Sequence, residues 1–92
     1  MKKSVFKLAS RVALDKDNGE NGGVLFDSHT AATSTCNETA FILLQALKKG
    51  SDVDSLSKIL IEQFDVKEKE ARADVVALLK DLTQQEYVRE QN

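Results

Sequence analysis

The sequence predicts an α+β domain: a small three-stranded antiparallel sheet followed by three helices. Three observations carry this reading. Apolar and polar residues alternate in the first half of the chain, the period of a half-buried strand. In the second half apolar residues recur at the three-and-four spacing of a helix face. No proline interrupts either half, and residues that start or stop helices stand between the periodic stretches.

The strands come first. Val12 and Leu14 alternate with Ala13 and Asp15, which makes a strand with one face to bury. Val24 and Phe26 do the same beside Leu25 and Asp27. Between these runs, Lys16 to Gly23 holds Asn18-Gly19 and Asn21-Gly22. Asn-Gly favours the positive φ angles that tight turns need, so the segment reads as a hairpin with a long, mobile loop. Ser28 to Ala31 reads as the next turn, and Ala32 to Cys36, rich in Thr and Ser, as a third strand, short and polar, whose composition alone does not mark a strand. Residues 1–10 are expected as a loose N-terminal segment or an edge strand.

The helices follow. Asn37 caps a helix with Ala40, Leu43, Leu44 and Leu47 on one stripe, although Thr35 and Glu38 also fit a capping box. Gly50 ends it by tolerating a left-handed conformation. Asp52 caps a second helix that turns Val53, Leu56, Ile59, Leu60 and Phe64 inward. After the break at Asp65-Val66-Lys67, a third helix runs from about Glu68 to Gln84 with Ala71, Val75, Leu78, Leu79 and Leu82 inward. Lys67 is a poor N-cap, so Asp65 is the candidate to cap it instead. Tyr87 and Val88 are expected to return and pack on the sheet.

Length and charge exclude several functions. A chain of 92 residues is one domain and, at about 60% of its unfolded surface buried, has little material for a deep enzyme pocket. Thirteen basic residues against 15 acidic ones give a net charge of −2, which argues against a phosphate-gripping surface and hence against a nucleic-acid partner. The longest strongly apolar run, Ala40 to Leu44, is far too short to span a membrane. One cysteine forms no internal disulfide, and no signal-peptide core follows Lys2-Lys3, so a soluble, cytoplasmic protein is expected.

No catalytic constellation is visible. His29 and Cys36 are the sole residues of their types and fall at opposite ends of the third strand, roughly 20 Å apart at about 3.3 Å per residue. A nucleophile and its base must touch, so His29 reads as an exposed turn residue and Cys36 as a packing residue. Neither a zinc-ligand spacing nor a glycine-rich phosphate loop occurs, so no metal and no cofactor is expected. The alternating charges Lys67-Glu68-Lys69-Glu70, with Arg72 and Asp74, read as a solvated helix face. A recognition helix for DNA would instead aim Arg, Lys, Asn or Gln at base edges.

The order and spacing of these elements resemble one family. The runs are Val24-Leu25-Phe26-Asp27, Thr30-Ala31, Thr33-Ser34, Cys36-Asn37-Glu38-Thr39-Ala40, the Leu-rich helix to Leu47, Gly50, Asp52-Val53-Asp54-Ser55-Leu56, Phe64-Asp65-Val66, Glu70 to Val75, and Leu82 to Val88. Over roughly Val12 to Val88 the chain resembles the PqqD family, small leader-peptide-binding domains of winged-helix-like shape. It departs from the pattern where Ala31 stands for the turn glycine, Thr33 and Ser34 for a pair of aromatics, and Lys67 for the cap of the third helix.

The resemblance implies a peptide chaperone and no enzyme. Such a domain binds the leader of a ribosomally made precursor peptide by β-strand addition. It presents the peptide to a modifying enzyme, most often a radical S-adenosylmethionine enzyme, in pyrroloquinoline quinone or related peptide-natural-product synthesis. The implied site is the edge Ala32, Thr33, Ser34, Thr35 and Cys36, with Arg72, Val75, Val76 and Leu79 as the helical wall. Along that edge one of Thr33 and Thr35 is expected to aim its N–H outward. The alternative from another class is a small winged-helix DNA-binding regulator.

Overall fold

The computed structural model describes residues 4–16 and 22–91. The elements are β1 (Val5–Leu8), β2 (Val12–Lys16), β3 (Gly23–Asp27), β4 (Thr33–Cys36), α1 (Glu38–Lys49), α2 (Val53–Phe64), α3 (Glu68–Gln84) and β5 (Val88–Gln91). The expected three strands are β2, β3 and β4, which form an antiparallel sheet in that order ahead of the three helices. The Asn-Gly turns fall on or beside residues 17–21, outside the described residues.

The two ends of the chain pair with each other, and of the two expectations for residues 1–10 the edge strand is the one found. The N-terminal segment is an edge strand, β1, and it pairs with β5. Val88 opens a strand of a second, two-stranded sheet, and its side chain joins the same core cluster as Val12 and Leu25 of the three-stranded one, as expected. Phe6 also exchanges backbone hydrogen bonds of 2.8 and 2.9 Å with Ser51, which fastens β1 to the α1–α2 turn. Local patterning carries no sign of this, because the partners of β1 lie more than 40 residues away.

A difference from the sequence reading is the buried face of β3. Leu25 and Asp27 point inward, whereas Phe26 is 41% exposed. Val24, Leu25 and Phe26 are consecutive apolar residues, so alternation alone does not choose a face. Register does: Leu25 stands opposite Leu14 and Asp27 opposite Val12, on the face turned to the helices.

The core joins Leu8, Val12 and Leu25 from the strands to Leu43, Leu44 and Leu47 of α1, Leu56 and Leu60 of α2, Ala71, Val75, Leu79 and Leu82 of α3, and Val88. Burying each large side chain contributes about 1.5–3 kcal/mol. Leu78 and Ala40, expected in the core, are half-buried at its border.

The caps follow the sequence with one exception. Asn37 Oδ1 accepts the Ala40 N–H at 2.8 Å, and Asp52 Oδ1 accepts that of Ser55 at 2.7 Å. Gly50 has φ 101°, a backbone that a side chain resists. Asp65 does not cap α3. It sits in the left-handed region at the end of α2, with φ 52°, and Lys67 occupies the N-cap of α3 without a side-chain hydrogen bond.

Candidate functional site

The third strand of the sheet is an open edge, and its hydrogen bonds can be assigned amide by amide. Asp27 N–H donates to the Ala32 carbonyl at 2.9 Å, and Ser28 N–H donates to the Arg11 carbonyl at 3.0 Å. Bonded and non-bonded pairs alternate along antiparallel strands. Ser34 opposite Leu25 and Cys36 opposite Gly23 therefore bond to β3, whereas Thr33 and Thr35 turn both N–H and C=O away from it. The expectation that one of the two threonines faces outward is corrected: residues two apart share a direction, so both do.

Beside this edge lies a furrow of about 350 Å³ between β4, α1 and α3. Its floor is Leu25, Ala40, Leu44 and Leu82. Ser34, Thr35 and Cys36 form one bank, and Leu78, Asp81 and Gln85 of α3 form the other, with Tyr87 at its end. Asn37, Ala40 and Leu78 also line a second stretch with Leu43, Asp74 and Ala77, so the furrow continues toward the N-terminal half of α3. Ser34 shares the inner face of the sheet with Leu25, which aims its side chain at the furrow.

Gly23 lets α1 dock closely at this site. A Cβ there would lie 2.2 Å from the Phe41 ring, inside contact distance. Phe41 is buried, so the start of α1 is pressed against the strand that carries β4.

The predicted edge residues are brought together: Thr33 to Cys36 make β4, and Ala32 precedes it. The predicted helical wall is not. Val75 is 0% exposed and Leu79 5%, both in the core. Arg72 is engaged by Asp54 of α2 and by Glu68 at 3.7 Å, which assigns it to the α2–α3 interface. Val76 is 52% exposed, but at 100° per residue it lies on the side of α3 opposite Leu78 and Gln85. The furrow wall is a stripe rotated from the core stripe: Asp74, Ala77, Leu78, Asp81 and Gln85. A mixed stripe bordering an apolar one is its sequence signal, and it is masked because Leu78 fits the core pattern as well.

Polar contacts hold the far end of the site. Arg11 Nε lies 3.4 Å from Asp27 Oδ1, its guanidinium donates to the Glu86 carbonyl at 2.8 Å, and it stacks 5.7 Å from the centre of the Tyr87 ring. One side chain thus ties β2, β3 and the α3–β5 junction together and positions Tyr87 in the furrow. Burial works to raise the pKa of Asp27. The His29 N–H at 2.9 Å, the Thr30 hydroxyl and Arg11 outweigh it and hold the carboxyl below the usual range. Burial pushes the Cys36 thiol up, against a smaller opposing effect of the Gly23 N–H. A thiol held protonated is a poor nucleophile.

His29 belongs to a separate concave surface with Lys7, Arg11 and Arg89, away from Cys36. Among the described residues no three His, Cys, Asp or Glu side chains gather as a metal site. No helix of the described residues is long and apolar enough to cross a membrane.

Residues 22–88 match the family model of coenzyme PQQ synthesis protein D, PqqD. No curated protein sequence matches the chain at a significant level. Solved structures share the fold, three of them as follows. Lasso peptide synthetase B1 complexed with the leader peptide superposes with a TM-score of 0.77 at 23% identity, covering 91% of this chain and 96% of that one. TbiB1 in complex with the TbiA(beta) leader peptide gives 0.79 at 14% identity, covering 90% and 94%. The PqqD truncation of Methylobacterium extorquens PqqCD, described as a stand-alone recognition element for ribosomally synthesised and post-translationally modified peptides, gives 0.76 at 24% identity, covering 92% and 88%.

Proposed function

The chain belongs to the PqqD family, and from that membership we propose that it is a peptide chaperone: it holds the leader of a ribosomally made precursor peptide as an added strand on β4. The single observation that carries the reading is the open edge of β4 beside the furrow. Thr33 and Thr35 offer a peptide two donors and two acceptors. The leader-peptide complexes of lasso peptide synthetase B1 and TbiB1, built on the same fold, support it.

The energetics require both parts of the site. Two donors and two acceptors contribute on the order of 2–6 kcal/mol. Micromolar binding needs about 8 kcal/mol net, after at least about 4 kcal/mol of lost freedom. Two or more apolar side chains must therefore be buried, at about 1.5–3 kcal/mol each. The floor of Leu25, Leu44 and Leu82 with Leu78 on the bank is the place for them. The chain itself catalyses nothing on this reading. It presents the peptide, in the cytoplasm, to a modifying enzyme, with a radical S-adenosylmethionine enzyme as the first partner to test.

The experiment is an NMR titration with the precursor peptide encoded beside this gene. Shift changes should cluster on Thr33 to Cys36 and on Leu78 to Gln85. Changes confined to Lys7, Arg11 and Arg89, or no binding below about millimolar, would sink the assignment.

A further inference from the structure

We infer that the furrow selects leader segments carrying lysine or arginine at the alternate positions that point into it. The inference rests on the strand-addition reading and deepens it. Two charged side chains line the furrow, Asp74 and Asp81, and both are carboxylates on α3. No lysine or arginine lines it among the described residues.

Some acidic groups at the helix surfaces do meet a cation. Glu68 and Asp54 are each engaged by Arg72. Asp81 meets only the neutral amide of Gln85, at 3.1 Å, and neither Asp74 nor Asp81 faces a cation among the described residues. A peptide laid across them as a purely apolar strand would strip water from both carboxylates and supply no partner, which is costly. An acidic peptide adds repulsion. A lysine or arginine satisfies the whole cross-section: its aliphatic stem lies along Leu78 and Leu82 while its head reaches the carboxylate.

Strand geometry sets the period. A peptide residue opposite Ser34 shares the inner face and enters the furrow, and residues opposite Thr33 and Thr35 point outward. Inward positions therefore recur every second residue, about 6.6 Å apart. Asp74 and Asp81 are seven residues apart on one stripe, about 10.5 Å along the helix. That distance falls between one and two inward steps, within reach of two long flexible side chains.

The test is a selection of random twelve-residue peptides displayed on phage against the full chain, followed by synthesis of the winners. Winners whose NMR shifts map to Thr33–Cys36 should carry Lys or Arg at alternate positions. Asp74→Asn with Asp81→Asn should weaken them about tenfold while leaving their glutamine-substituted versions within about twofold. Their affinity should fall when salt is raised from about 0.05 to 0.5 M, as screening requires. Both aspartates are exposed, so the variant should keep its melting temperature. Winners that map to the furrow but show no basic preference, or bind the double variant equally, overturn the inference and leave strand addition standing. Winners that map nowhere near β4 overturn both.

Discussion

Ser34 stands directly opposite Leu25 and exchanges its backbone hydrogen bonds with it, which leaves the amides on either side, Thr33 and Thr35, as the open edge of the sheet. Proline removes one N–H donor. Thr33→Pro or Thr35→Pro should therefore weaken peptide binding by about tenfold, with thermal unfolding little changed. Ser34→Pro breaks the β3–β4 ladder and should lower the melting temperature. Equal destabilisation by all three would mean that the edge phase is misassigned.

The wall of the furrow is tested by two neighbours on α3. Leu78→Ala removes apolar surface from the bank and should weaken binding by about 1–2 kcal/mol. Val76→Ser, on the opposite side of the helix, should leave affinity within about twofold. Isothermal titration of both variants with one peptide decides between the two stripes.

Leu60 is 1% exposed at the centre of the core. Leu60→Ala should cost about 2–5 kcal/mol in urea unfolding, a large part of the stability of a domain this small. A loss under about 0.5 kcal/mol would contradict its position.

Asp27 predicts a pH dependence. Its carboxyl titrates lower in the folded chain than in the unfolded one. The stability it contributes is therefore present above the unfolded carboxylate range and is lost as pH falls through the folded value. Asp27→Asn should be less stable than the parent at pH 7, and the gap should narrow below about pH 4. Chemical denaturation at a series of pH values reads this directly.

Ala31 adopts φ 62° in the turn between β3 and β4, where its N–H donates to the Asp27 carbonyl at 2.7 Å. The left-handed region costs an L residue about 1–2 kcal/mol, against roughly 0.5–1 kcal/mol for the greater unfolded freedom of glycine. Ala31→Gly should therefore stabilise the chain by about 0.5–1 kcal/mol. An unchanged or lower denaturation midpoint would show that the turn relaxes differently.

Periodicity and caps are local, so the sequence by itself determined the helices, the Asp52 cap of α2, the start of α1 to within Thr35 to Asn37, and the β2–β3–β4 order. Each rests on residues within one or two turns of each other. The edge strand followed from the family resemblance, because the polar run Ala32 to Cys36 has weak strand propensity of its own. Only the tertiary structure decided the rest. The β1–β5 pairing, the inward face of Val24-Leu25-Phe26, and the loss of Arg72 and Val75 from the site all depend on partners distant in the chain. The furrow wall is the sharpest case. Leu78 and Val75 read alike as apolar residues of one stripe, and a turn of about 60° about the axis of α3 buries one and presents the other to the edge of β4.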